Sequence, residues 1–221
     1  MSILRAQNIQ KHYGDLKVLD GIDFQLDEAK ISAIVGPSGA GKSTLLHILG
    51  TLDQADSGEL YFKDKDISQL KGSRLSNFRN SAIGFIFQFH NLLPEFTAEE
   101  NILIPAYISK KDEKPSLERV KELMKILGIE QRSHHKPGQL SGGEQQRVAV
   151  ARALMNNPSI VFADEPSGNL DSKNAEELHS LFLKLRDELG QAFVIVTHNK
   201  ELAAISDERH EMKDGKLGRL D

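Results

Sequence analysis

The sequence predicts an α/β fold, a mostly parallel sheet with helices on both faces, and three observations lead there. The apolar run Ile31-Ser32-Ala33-Ile34-Val35 passes through a glycine-rich turn into apolar Leu45-Leu46-His47-Ile48-Leu49, a strand–turn–helix unit. Further buried-strand runs recur at 83–87, 159–163 and 192–196. Between them lie stretches with helical spacing, and strands alternating with helices imply a parallel sheet.

Taken in order, 3–10 and 18–26 alternate enough to be strands, with Lys11-His12-Tyr13-Gly14-Asp15 as the turn between them. The helix after the glycine-rich turn ends near Gly50. Gly58-Glu59-Leu60-Tyr61-Phe62 reads as a strand, Asp64-Lys65-Asp66 as a turn and 73–80 as a short helix. From about 97 to 156 the chain becomes helical. Thr97 and Glu100 have the spacing of a capping box, and Leu117, Val120, Leu123, Met124 and Leu127 form one apolar face that Gly128 ends. A second helix opens after Leu140-Ser141-Gly142-Gly143, and Asn174 to Leu189 is amphipathic. The tail reads as a hairpin on Asp214-Gly215.

The chain of 221 residues is long for one domain and short for two. The reading is one domain over 1–221, with 1–88 and 157–221 as an α/β core and 89–156 as an inserted helical subdomain. A formal net charge of -4 argues against a nucleic-acid partner. Without cysteine there are no disulfides or thiolate metal sites. No apolar run reaches the roughly 20 residues that span a bilayer, and Met1 to Asn8 lacks a secretory h-region. The expectation is a soluble cytoplasmic protein that reaches a membrane only through a partner.

The chemistry centres on Gly36-Pro37-Ser38-Gly39-Ala40-Gly41-Lys42-Ser43-Thr44, which fills G-x-x-x-x-G-K-[ST] between a strand and a helix. Backbone N–H groups of such a loop wrap an anion, and the helix N-terminus adds partial positive charge. Lys42 would reach the β- and γ-phosphates, and the Ser43 hydroxyl would ligate Mg²⁺. Asp164 and Glu165 end an apolar strand, where ligands of parallel sheets sit. Asp164 is placed to hold Mg²⁺ directly or through water, and Glu165 is a candidate general base for the attacking water. Gln88 and His198 each end a further strand, and each alone is as compatible with a structural role. Their convergence is what a γ-phosphate sensor requires. Leu140-Ser141-Gly142-Gly143-Glu144 opens a helix as a second anion-reading N-terminus, or as an ordinary serine cap.

In this order and spacing, 36–44, Gln88, 140–144, Asp164-Glu165, Asn169-Leu170-Asp171 and His198 resemble the ATP-binding cassette (ABC) ATPases. These are the nucleotide-binding subunits of ABC transporters, and the likeness covers essentially the whole chain. It implies a P-loop NTPase core, an N-terminal antiparallel β part and an inserted α-helical subdomain. It also implies that Tyr13, otherwise a turn tyrosine, stacks on adenine, that Gln88 belongs with the Mg²⁺ site, and that Asp171 belongs to the nucleotide site. ATP and Mg²⁺ are the implied cofactors. In the implied head-to-tail homodimer, Ser141, Gly142 and Gly143 of one chain close over ATP on the Lys42 loop of the other. Residues 88–101, 45–50 and 166–171 are most similar to the subgroup serving lipoprotein release, macrolide export and cell division, and to its lipoprotein-releasing members above all. That likeness implies integral membrane subunits docking near 89–96, on the cytoplasmic face of the inner membrane. Phe85 and Phe87 read as core, whereas Phe89, Leu92, Leu93 and Phe96 are either tucked under their own subdomain or an anchor patch, and the family likeness implies the anchor. Ser167 stands where threonine is usual and Asn199 where aspartate is common, which leaves the support of His198 open.

Other readings are weaker. Asn199-Lys200-Glu201-Leu202 lacks the fourth-position aspartate of a guanine-reading element. There is no coiled-coil insertion of a DNA-repair ATPase and no second cassette of a translation factor. A regulatory ATPase signalling through a membrane partner, or an efflux ATPase for macrolides or peptides, would share the same motifs.

Overall fold

The structure is a computed structural model that describes residues 1–220. Its first element is the hairpin of β1 (Ser2–Tyr13) and β2 (Leu16–Asp27). The expected turn over 11–15 shrinks to Gly14-Asp15, and Lys11, His12 and Tyr13 extend β1. Gly14 supplies the positive φ of 60° that a two-residue hairpin turn uses. Tertiary contacts hold the polar extension: Lys11 Nζ donates to Asp53 at 3.0 Å and to the Gln54 carbonyl at 2.7 Å.

The sheet's central strand, β3 (Ile31–Val35), runs through the glycine-rich loop into α1 (Lys42–Leu49). β4 (Ser57–Phe62) joins β1 antiparallel, and β5 (Lys65–Asp66) pairs with β4. The expected turn at 64–66 is therefore at Lys63-Asp64, both with positive φ, and Lys65-Asp66 is strand. α2 (Gly72–Ala82) leads into β6 (Ile83–Phe87).

The helical block holds α3 (Ala98–Ile108), α4 (Glu113–Ile126) and α5 (Gly142–Leu154). Thr97 and Glu100 form the expected capping box, of a kind that contributes about 1 kcal/mol. β7 (Ile160–Asp164), α6 (Ser172–Leu189), β8 (Ala192–Val196) and α7 (Lys200–Ala204) follow. The chain closes with the expected hairpin, β9 (Glu208–Lys213) and β10 (Lys216–Leu220), turning at Asp214-Gly215.

Strand order is β2-β1-β4-β5 in one sheet and β10-β9-β3-β8-β7-β6 in the other. All neighbours from β9 to β6 are parallel. The larger sheet separates two cores. On one face Ile34, Phe162, Val194 and Val196 meet α1 and the antiparallel sheet. On the other, Val161, Ala163, Phe193 and Ile195 meet α3, α4, α5 and α6. Burial on both faces is why β3, β7 and β8 run apolar rather than alternating, Ser32 and the terminal Asp164 apart. Among the described residues no helix is long and apolar enough to cross a membrane.

Candidate active site

Parallel strands β6, β7, β8 and β3 lie side by side, so their C-terminal ends share one edge. That edge collects Gln88, Asp164-Glu165, Thr197-His198 and Gly36. The loop after β3 begins tightly: a Cβ on Gly36, at φ 148°, would run into the Met212 carbonyl of β9. Glycine alone permits that approach. Gly41 then caps α1 without a side-chain hydrogen bond, so the first-turn N–H groups keep no side-chain partner. Lys42 Nζ folds onto the loop, donating to the Gly36 carbonyl at 3.0 Å and the Pro37 carbonyl at 2.9 Å. A groove of about 430 Å³ follows, lined by Tyr13, Val18, Ser38, Gly39, Gly41, Lys42, Ser43, Thr44, Glu165 and Val196.

Beside the loop, Ser43 Oγ donates to Asp164 Oδ1 at 3.1 Å. Burial pushes the Asp164 pKa up, against the lowering by the Ser43 hydrogen bond and the His47 ring. Two hard oxygen donors at hydrogen-bond separation suit a Mg²⁺ ion. Among the described residues no three His, Asp or Glu side chains gather as a metal cage. A cation here would complete its shell from phosphate and water, as Mg²⁺ ordinarily does.

Glu165 adopts φ 47°, a left-handed conformation uncommon outside glycine. Its N–H bonds the Val196 carbonyl at 2.9 Å, and Oε2 accepts the His198 N–H at 3.1 Å. His198 Nδ1 lies 2.9 Å from the same oxygen. The support left open for His198 thus comes from Glu165. Asn199 has another task, capping α7 by accepting the Leu202 N–H at 2.9 Å. Asn199 and Leu202 have the spacing of a cap, and that signal was available in the sequence.

Gln88 and Asn169 form a reciprocal pair. Gln88 Nε2 donates to Asn169 Oδ1 at 3.1 Å, and Asn169 Nδ2 donates to the Gln88 carbonyl at 3.0 Å. Tyr13 ends β1 with a half-exposed ring, its hydroxyl donating to Asp53 at 2.7 Å. That hydrogen bond raises the tyrosine pKa. Asp53 and His47, whose Nε2 is 4.0 Å from Asp164, carry no motif and escaped the sequence reading.

Ser141, Gly142, Gly143 and Asp171 gather in a second cluster, on α5 and α6. Ser141 caps α5, as the serine-cap alternative has it, and Glu144 completes a full capping box. Glu144 also accepts from Arg132 Nε at 2.6 Å. That contact first, then the Ser141 N–H, lowers the Glu144 pKa to about 2. A side chain on Gly143 would meet Asn174 Oδ1. Asn174 in turn binds Asp171, the cap of α6, through its backbone N–H at 2.9 Å and its amide at 2.7 Å.

Of the four apolar residues expected as anchors, Phe89, Leu93 and Phe96 are exposed. Leu92 is not among them, because it packs on the helical-face core. Buried Asn101 bonds the Leu93 N–H and the carbonyls of Leu93, Phe96 and Thr97, so this segment is held from α3. Phe85 and Phe87 stack at 5.7 Å; Phe85 packs on the core beneath α1 as expected, whereas Phe87, expected in the core, is half-buried at the end of β6.

Residues 19–168 match the ABC transporter family. The lipoprotein-releasing system ATP-binding protein LolD of Cytophaga hutchinsonii is 60% identical over 213 residues, covering 96% of this chain and 97% of that protein. LolD of Bacteroides thetaiotaomicron is 53% identical over 215 residues, covering 97% and 99%. Among solved structures, the dimeric bacterial ABC transporter cassette MJ0796 matches with a TM-score of 0.89 at 38% identity over 99% of both chains. A dimeric post-hydrolysis state of that cassette, bound to ADP and Pi, matches at 0.88 and 37% over 99% of both chains.

Proposed function

Because this chain belongs to the ABC transporter family, with ATP binding and hydrolysis as its chemistry, we propose that it powers a membrane partner that releases lipoproteins from the inner membrane. The observation that carries the catalytic part is the convergence of the Lys42 loop, the Ser43–Asp164 pair and the Glu165–His198 pair on one sheet edge. The full-length similarity to LolD proteins supports the cargo class.

Each residue has a task in this reading. Lys42 exchanges the Gly36 and Pro37 carbonyls for the β- and γ-phosphates of ATP, beside the N–H groups of the loop. Tyr13 offers its exposed ring to adenine. Ser43 and Asp164 would hold Mg²⁺, with Gln88 as a further oxygen donor, and the ion would supply charge neutralisation at the phosphates. Glu165 takes the proton of the attacking water, while His198 and Gln88 bracket the γ-phosphate.

The dimeric cassettes among the matching structures support a homodimer. In a head-to-tail arrangement the Ser141 end of α5 and Asp171 of one chain face the Lys42 loop of its partner. Ser141→Arg is expected to leave ATP binding intact while blocking closure and hydrolysis. Mixed with Lys42→Ala chains, it should restore at most one working site per dimer. Full activity of Ser141→Arg protein alone would overturn the shared site.

Exposed Phe89, Leu93 and Phe96 are the proposed docking points for the membrane subunits, on the cytoplasmic face. The test is ATP-dependent release of a lipidated protein from vesicles containing the co-purifying membrane partner. Release is expected with wild-type protein. Phe89→Ala with Leu93→Ala should keep basal hydrolysis within about threefold yet abolish release. Stimulated hydrolysis without release would favour a regulatory role instead.

A further inference from the structure

Half-buried Arg152, near the C-terminal end of α5, has no carboxylate partner among the described residues. Its guanidinium donates instead to two consecutive carbonyls, His90 at 2.6 Å and Asn91 at 2.7 Å. Both acceptors are non-glycine residues in the left-handed region, at φ 59° and 49°. Consecutive residues in that conformation turn their carbonyls to one side, so a single planar fork takes both. The turn is also closed internally, by His90 N–H to Phe87 and Asn91 N–H to Phe89. It begins one residue after Gln88. Burial pushes the Arg152 pKa down, a cost that a lone surface contact would not require.

At its other end α5 touches the same site by a second route. Gly143 abuts Asn174, Asn174 holds Asp171, and Asn169, two residues earlier, pairs with Gln88. The contacts close a ring: Gln88, the turn at 90–91, Arg152, the length of α5, Gly143, Asn174, the 169–171 segment, and Gln88 again. An α-helix from Ser141 to Arg152 is a rod of about 16 Å.

We propose that Arg152 is a positioning residue that locks the turn after Gln88 to α5, so that displacement of Gln88 toward a bound γ-phosphate carries the Ser141 end of the helix with it. This rests on the reading of Gln88 given above. The contacts of the Arg152 guanidinium are the two carbonyls of the turn, and it acts through them.

The chain has no tryptophan, so Phe89→Trp, at an exposed position, installs a single reporter beside the turn. Its emission is followed on adding ATP with Mg²⁺, with bound ATP counted by dialysis, and kcat and KM are measured in parallel. The reporter protein is expected to shift on ATP binding. Adding Arg152→Lys should remove most of that shift and lower kcat about tenfold while KM stays within about twofold. A merely structural role would reduce the folded fraction without splitting kcat from KM per ATP-binding site. A shift and a kcat that survive Arg152→Lys overturn this proposal alone. No shift in the reporter protein with ATP bound overturns the Gln88 reading, and this proposal with it. Should Arg152→Lys fail to fold, Asn91→Pro decides on the same terms. Proline sets φ near −65°, swings the carbonyl off Arg152 and also removes the Asn91 N–H bond to Phe89, so it opens the same turn at an exposed position away from the core.

Discussion

Glu165→Gln is expected to cut turnover by about 100-fold or more, roughly 3 kcal/mol of barrier, while leaving ATP affinity near wild type. Glutamine keeps the length of the side chain and an oxygen that can still accept the His198 N–H, now at 3.1 Å from Glu165. It also leaves the Glu165 N–H bonded to the Val196 carbonyl, so the backbone at φ 47° has no cause to move. What it loses is the basic oxygen proposed to take a proton from water. With binding intact and hydrolysis stopped, ATP should hold two chains together, visible as a larger species in size-exclusion chromatography. Normal hydrolysis by this variant would reduce Glu165 to a strand-end acid.

Lys42→Ala is expected to abolish hydrolysis and to weaken nucleotide binding as well, which separates it from the first variant. The ammonium has two carbonyl acceptors, at 3.0 and 2.9 Å, and both are exchangeable for phosphate oxygens. Alanine removes the compact positive charge inside a loop that otherwise offers backbone N–H groups and hydroxyls. The loop should keep its shape, since Ala40 N–H to Pro37 and Leu45 N–H to Gly41 do not involve the side chain. An unchanged circular dichroism spectrum with lost ATP binding by calorimetry is the expected pair of results. Near-normal turnover would overturn the phosphate-loop assignment.

Legibility followed the reach of the forces involved. Ile31–Val35, Ile83–Phe87 and Ala192–Val196 were readable because burial, on both faces for the inner strands, demands a largely apolar run. The Thr97–Glu100 box and the Asp214-Gly215 turn were readable because both are local chemistry. The end of β1 was not. Lys11, His12 and Tyr13 look like a turn, and Asp53 and Asp56, about forty residues away in sequence, hold them in strand. The strand ends that gather Gln88, Asp164, Glu165 and His198 were anticipated from chain pattern and family likeness together. Their mutual bonds were not, because which carboxylate supports His198 depends on β7 lying next to β8. Leu92 joined the wrong group because apolar composition cannot say which side chains of a loop turn inward once Asn101 has pinned it.

The close approach of Gly36 to Met212 has a consequence for the order in which the protein is made. Strand β3 emerges early from the ribosome, yet both its neighbours, β8 and β9, lie in the last part of the chain. The loop that follows β3 is buttressed by Met212, and the Glu165 backbone by Val196. At 5–20 residues per second, synthesis leaves the glycine-rich segment without these supports for on the order of ten seconds. ATP therefore has no finished cradle on the nascent chain, however abundant it is in the cell. The nucleotide stabilises this fold only after translation has delivered β9, and until then the exposed apolar edge of β3 is in the care of chaperones or of chance.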